Sequence, residues 1–232
     1  GYGSTGSNSS LTNLVSNSGV VATDTTGVGT ARVYLAAAGY GTDKAIFGYG
    51  LILGPSSLVG MSNLVSNSGV VATDVTGVGT SRYHLGAANY GYDKAIFGFG
   101  NSGSYTAITN LVSSSGVVAT DTSGVGTGRS GVAAATYGGD KAIFGYGESP
   151  VTAVTNLVSN TGVVATDVTG VGTARETLAA TGYGGDKAIF GFGSGVTNVT
   201  NLVNSSGVVA TDTTGVGTAR TGLAAAGYSL SA

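Results

Sequence analysis

The chain has 232 residues, 43 of them glycine and only 9% charged, with a formal net charge of −2. That balance offers no electrostatic case for nucleic acid or for an anionic membrane surface. The lack of cysteine excludes disulfide and thiolate chemistry. No apolar run approaches the ~18 residues of a spanning helix, and no secretory leader is visible.

In chain order, Gly1-Tyr2-Gly3 has the form of a strand end. The block N-L-V-[SN]-[NS]-[ST]-G-V-V-A-T-D then begins at Asn13 and returns at Asn63, Asn110, Asn156 and Asn201. A second block, D-K-A-I-F-G-[YF]-G, begins at Asp43, Asp93, Asp140 and Asp186. Self-similarity at this period predicts repeated units that bury their apolar faces only against neighbours.

The third repeat serves as the pattern. After Arg129, residues 131–136 are small and apolar and predict a first strand, and Tyr137-Gly-Gly-Asp140 is turn chemistry. Lys141–Gly147 alternates, with Ala142, Phe144 and Tyr146 on one face and Ile143 on the other. Val154–Val158 and Val163–Thr166 predict a third and a fourth strand around a Ser-Asn-Thr-Gly turn. The alanine-rich first strand is too short to stand as a helix, and its small side chains suit a crowded axis. A right-handed β-solenoid is the rival, but it needs shorter coils and edge caps. The reading is all-β: one β-propeller domain over residues 1–232, with five four-stranded blades of about 46 residues. The closing blade would combine strands from both termini, with Ser229-Leu-Ser-Ala232 standing where its D-K-A-I-F strand belongs. Either that strand is short or another chain covers the gap, and the second case is a route to homo-oligomers.

The elements R-x-x-[LV]-[AG]-A-[AT]-[GNT]-Y, followed by a strand ending in a glycine-flanked aromatic, resemble the kelch repeat. They are more similar still to kelch-like repeats of marine and cyanobacterial phage structural proteins. Gly48-Tyr49-Gly50 stands where kelch has a glycine doublet, and the fourth-strand tryptophan is missing. The resemblance spans essentially the whole chain. It implies a propeller in a tail-associated or surface-exposed virion protein, with a virion or extracellular location.

Charge placement separates scaffold from candidate site. Asp24, Arg32, Asp74, Arg82, Asp121, Arg129, Asp167, Arg175, Asp212 and Arg220 recur at equivalent positions, as do four Asp-Lys pairs. Such sets are either interblade polar ties or one ligand site per blade; the ties are the simpler reading. Only Glu148 and Glu176 break the pattern. The residues just after each arginine vary, and so do the loops after each D-K-A-I-F-G-[YF]-G block. Blade topology puts both variable sets on one face, where a rigid scaffold carries binding residues. The candidates are Tyr34, Leu51, Ile52, Leu53, Tyr83, His84, Tyr105, Glu148 and Glu176. Leu51–Gly60 is either an exposed docking patch or a longer strand pair.

No catalytic role is expected. His84 is the lone histidine and no nucleophile elbow exists. Asp24-Thr-Thr-Gly-Val-Gly-Thr30 lacks the alternating acids of a calcium loop and the Lys-Ser/Thr of a P-loop. No cofactor or metal is expected. The expected partners are virion proteins or a bacterial surface glycan, with no nucleic acid and no membrane insertion. Alternatives are a lectin using Tyr40, Tyr90, Tyr137, Tyr183 and Tyr228 once per blade, or an adaptor scaffold.

Overall fold

The computed structural model describes residues 1–54 and 56–227; within them every regular element is a β-strand and no helix occurs. β1 (Gly3–Ser4) and β2 (Asn8–Ser9) form a short ladder. β3 (Ala36–Tyr40) and β4 (Lys44–Gly48) are followed by the small hairpin of β5 (Leu51–Ile52) and β6 (Ser57–Leu58). β7 (Ser62–Val65) then pairs with β4, giving the antiparallel order β3-β4-β7.

Three more sheets repeat that pattern. They are β8 (Gly86–Tyr90), β9 (Lys94–Gly98) and β10 (Thr109–Val112); then β11 (Ala133–Tyr137), β12 (Lys141–Gly145) and β13 (Thr155–Val158); then β14 (Ala179–Tyr183), β15 (Lys187–Gly191) and β16 (Thr200–Val203). The register is the same in each sheet: Ala135↔Ile143↔Leu157 on one face, Ala134↔Phe144↔Asn156 on the other.

The turn between first and second strands has its residues at positive φ. Gly41 (58°) and Thr42 (69°) form it in the first sheet, Gly138 (60°) and Gly139 (78°) in the third. Two left-handed residues in succession match the twist of a tight hairpin.

The fourth strand of the expected blade differs from prediction. Residues 163–166 form no strand; that segment pairs with β13 through the isolated bridges Val158↔Val164 and Thr155↔Val168. The two bridges are three residues apart on β13 and four apart on the partner segment. This is a bulge, which stops a regular ladder from forming. Asn156 compensates from β13: its Nδ2 donates to the Ala165 carbonyl (3.1 Å) and to Asp167 Oδ1 (2.9 Å). Each complete sheet is therefore three strands plus an irregular fourth segment.

The cores lie between sheets rather than within them. One cluster joins Ile46 and Tyr49 of the first repeat to Phe97 of the second. The next joins Ile96 and Phe99 to Phe144, and the third joins Ile143 and Tyr146 to Phe190. Both faces of β12 are covered, so Ala142, Ile143 and Phe144 are all fully buried. β3 packs on β8, β8 on β11, and β11 on β14.

The junctions depend on a glycine. A Cβ at Gly98 would lie 2.7 Å from Phe144 Cζ, and one at Gly145 would lie 2.7 Å from Phe190 Cζ. At Gly191, among the described residues, only Thr200 Cγ2 comes near, at 3.3 Å. Gly98→Ala is expected to cost about 1–3 kcal/mol through overpacking, whereas Gly191→Ala stays within about 0.5 kcal/mol. Paired urea titrations check this, and equal losses would overturn it.

The first strands border a cavity of about 480 Å³, lined by Ala36, Ala87, Ala134, Ala180, Ala224 and the N-terminal Gly1–Gly3. The small first-strand side chains thus border one shared space.

Candidate functional site

The repeated arginines build scaffold. Arg32, Arg82, Arg129 and Arg175 are fully buried. Arg129 donates through Nε to the Tyr146 carbonyl (2.8 Å), through Nη1 to the Thr127 carbonyl (3.1 Å) and through Nη2 to Asn156 Oδ1 (2.6 Å). Its guanidinium also stacks 4.3 Å from the ring centre of Phe99, which belongs to the preceding repeat. Arg32 over Tyr2, Arg82 over Tyr49 and Arg175 over Tyr146 repeat the arrangement. Tyr49, Phe99 and Tyr146 each follow a second strand at positive φ, near 63°, and Tyr2 has the same backbone conformation (61°).

Asp167 bonds the Thr127 hydroxyl (2.7 Å) and the Thr127 amide (3.0 Å), and reaches Arg129 only at 3.9 Å. Asp74, Asp121 and Asp212 hold Thr30, Thr80 and Thr173 in the same way. Each aspartate thus ties its own sheet to the segment leading into it, and the crossing between repeats is made by the arginine stacks. The invariant first letter of the N-L-V block, Asn63 and its equivalents, is the polar group that sequence reasoning passed over. Its invariance within the chain was the available signal, since a solvated strand position has no reason to stay Asn.

Desolvation opposes ionisation of Asp121, but the Thr80 hydroxyl, the Asn110 amide, the Thr80 N–H and Arg82 outweigh it and hold its carboxyl below 3.8. Asp74, Asp167 and Asp212 are depressed by the same balance. A depressed carboxyl contributes stability above its ordinary value and loses it as pH falls through its folded one. The expected result is a melting temperature that drops as pH falls below 3.8, with a shallower slope in Asp121→Asn. Calorimetry across that range checks it, and an unchanged slope in the variant would refute the assignment.

The variable residues lie side by side. Val33 bridges Leu51, Tyr83 bridges Asn101, and Ser130 bridges Glu148, so the residue after each arginine meets the first loop residue after each second strand. Tyr34, Tyr83 and His84 form one aromatic group: Tyr34 to His84 is 4.2 Å, Tyr83 to His84 4.9 Å and Tyr34 to Tyr83 6.1 Å between ring centres. Glu148 adjoins that group; its Oε1 accepts from Ser130 Oγ (2.7 Å). The Glu148 charge is the main cause pushing the Tyr105 phenol up, with Glu176 and Tyr83 adding to it. Burial, then Glu148, raises the Glu176 carboxyl. Burial pulls His84 below 6.5 against the opposing charge of Glu148, leaving a neutral imidazole at pH 7. The lysines sit at the far end of the second strands, each bonded to the preceding aspartate.

The loop at Leu51–Gly60 does not join this group as an apolar patch. Leu51 and Ile52 are half-buried in the β5–β6 hairpin, and the Asn8 side chain clasps the Leu53 backbone (3.1 and 3.3 Å). Only the Leu53 side chain stands exposed among the three. The strand-pair reading of that loop holds for its described residues; Pro55 lies outside them.

A backbone belt missed from the sequence runs along a recess beside the aromatic group. Tyr34, His84, Gly131, Thr177 and Gly222 all have positive φ, from 51° to 68°. Their backbones form a belt: His84 N–H to Tyr34 O (3.0 Å), Gly131 to His84 (2.8 Å), Thr177 to Gly131 (3.1 Å) and Gly222 to Thr177 (3.0 Å). The signal was glycine standing at this position in two repeats, the residue that most easily adopts a left-handed backbone. A recess of about 360 Å³ is bordered by all five of these residues.

The repeated tyrosines pack. Tyr40, Tyr90 and Tyr137 are buried, and their rings lie against Gly116, Gly162 and Gly207 in the next repeat. Tyr183 is 39% exposed, and Tyr228 falls outside the described residues. Among the described residues no three of His, Asp and Glu converge as metal ligands, and no helix is long and apolar enough to cross a membrane. No family model matches this chain, and no curated protein matches it either.

Proposed function

We propose that the chain is a five-bladed β-propeller acting as a non-catalytic recognition module of a virus particle. One rim would contact a bacterial surface glycan or a neighbouring virion protein. The propeller reading is supported by four like sheets packed in sequence and by a cavity bordered by first-strand residues of every repeat. The virion reading is supported by the resemblance to phage kelch-like repeats.

One observation carries the recognition reading. The residues that differ between repeats gather at the cavity mouth as three contiguous rings with Tyr105, Glu148 and Glu176 beside them. Aromatic faces give stacking area at low entropic cost, and carboxylates accept hydrogen bonds from hydroxyl-rich ligands. The burial of Tyr40, Tyr90 and Tyr137 supports one such cluster over equal tyrosine sites in every blade.

The test is an array of glycans and bacterial surface polysaccharides probed with labelled protein and with Tyr34→Ala/His84→Ala. Saturable binding that falls at least about tenfold in the double variant is the expected result, the scale of losing aromatic anchors. Binding that survives unchanged would remove the cluster as the site. No binding to any glycan, with capture of a virion protein instead, would leave the neighbouring-protein branch.

A further inference from the structure

The aromatic group at the rim stands open. Tyr34 is 49% exposed and Tyr105 42%, while Tyr83 and His84 are half-buried beside them. Asn101 bridges both Tyr83 and Tyr105, which sets the second tyrosine on the same edge as the first. These ring faces are not consumed by the cores that join the sheets.

Two carboxylates from different repeats meet that group. Glu148 and Glu176 converge on the backbone of Ser130 and Gly131. Glu148 Oε1 accepts from Ser130 Oγ (2.7 Å), and a Cβ placed on Gly131 would lie 3.3 Å from Glu176 Oε2. Glycine therefore leaves room for that carboxylate at the position where the two preceding repeats carry Tyr34 and His84.

Their charge is not balanced within the fold. Asp43, Asp93, Asp140 and Asp186 each pair with a lysine, and Asp74, Asp121, Asp167 and Asp212 are held by threonine donors. Among the described residues no lysine or arginine forms an ion pair with Glu148 or Glu176. The hydrogen bonds of Glu176 run through its backbone, from its N–H to Ser194 Oγ (2.9 Å) and from Thr177 Oγ1 to its carbonyl (2.8 Å). Burial and then the Glu148 charge raise its carboxyl, and no cation opposes them.

We propose that this cluster is a subsite for a protonated amine carried on a glycan. The tyrosine faces attract the cation and stack on the sugar, and the two carboxylates accept from the ammonium hydrogens. Aromatic faces alone would take a neutral sugar. The unbalanced carboxylates select a cationic one and repel an acidic one. The inference rests on the reading of this rim as a recognition face.

The test titrates the whole chain by calorimetry with a 2-aminoethyl tetraglucoside and with the same compound N-acetylated. The alkyl amine, like that of lysine, is protonated at neutral pH, and acetylation removes only that charge. The amine probe is expected to bind at least about tenfold tighter, and Glu148→Gln/Glu176→Gln to abolish the preference. In the unaltered protein the preference is expected to fade as pH falls through the raised value of Glu176 toward 4.5, because the amine keeps its charge while the carboxyl loses its own. His84, Tyr83 and Tyr105 are the other titratable groups facing the cluster. Of these only His84 gains charge in acid, which repels the amine in the same sense. Equal binding of both probes, lost in Tyr34→Ala/His84→Ala, would overturn the subsite and leave the recognition face standing. Amine binding untouched by either double variant would overturn both. A preference independent of pH, or no saturable binding of the amine probe up to about 10 mM, would also overturn the subsite.

Discussion

Arg129→Ala is expected to lower the unfolding free energy by about 3–5 kcal/mol, the scale of a large internal void combined with buried acceptors left unpaired. The guanidinium is fully buried and makes three hydrogen bonds. Burial pulls its pKa down to about 10, with Asp167 opposing, so it stays charged at neutral pH. Without it, the Tyr146 and Thr127 carbonyls and Asn156 Oδ1 each lose a donor in space that water reaches poorly. Phe99 loses the cation stacked on its ring. Arg129→Lys is expected to recover little, because an ammonium cannot span three acceptors set around a planar fork. Arg220→Ala is the internal control. It is exposed, with one side-chain hydrogen bond to the described residues, and is expected to change stability by about 0.5 kcal/mol or less. Urea denaturation of the three variants decides the matter, and equal losses for Arg129→Ala and Arg220→Ala would show that burial is not the cause.

Phe144→Ala is expected to cost a similar amount, about 3–5 kcal/mol. Its ring is fully buried, lies over Gly98, and meets Phe99 edge-on at 5.1 Å. The cavity left behind cannot collapse easily, because one wall is strand backbone at Gly98 and another is the buried Phe99 ring. Phe47 occupies the equivalent position in the first repeat but is only half-buried, with Tyr2 5.0 Å from its ring. Phe47→Ala should therefore cost clearly less than Phe144→Ala. A reversed order in thermal unfolding would mean that the interior junctions are not the stability-limiting ones. The two predictions probe the same junction from its polar and apolar sides. Because the residues sit in one contact network, the double variant should fall short of the sum of the singles.

The amino-acid sequence by itself determined the period, the first three strands of each complete repeat and the all-β class. Alternation in K-A-I-F-G and glycine-rich turns encode local backbone, and local backbone is legible without a fold. It also marked the variable positions, because five internal copies expose their own differences. Partners were not legible. Asn156 looked like an ordinary strand residue until a bulge brought the Ala165 carbonyl and Asp167 within its reach. The expected fourth strand failed for the same reason, since a one-residue excess in pairing is invisible to a pattern of valines. The tyrosines at 40, 90 and 137 could have been sugar platforms or core. Contact with a glycine of the next repeat, 70 residues or more along the chain, decided for packing. Leu51 and Ile52 turned inward because a hairpin partner and Asn8 were available in space. Tertiary structure alone decided these points, because burial and hydrogen-bond satisfaction depend on neighbours brought together across repeats. Sequence spacing records only the chain's own periodicity.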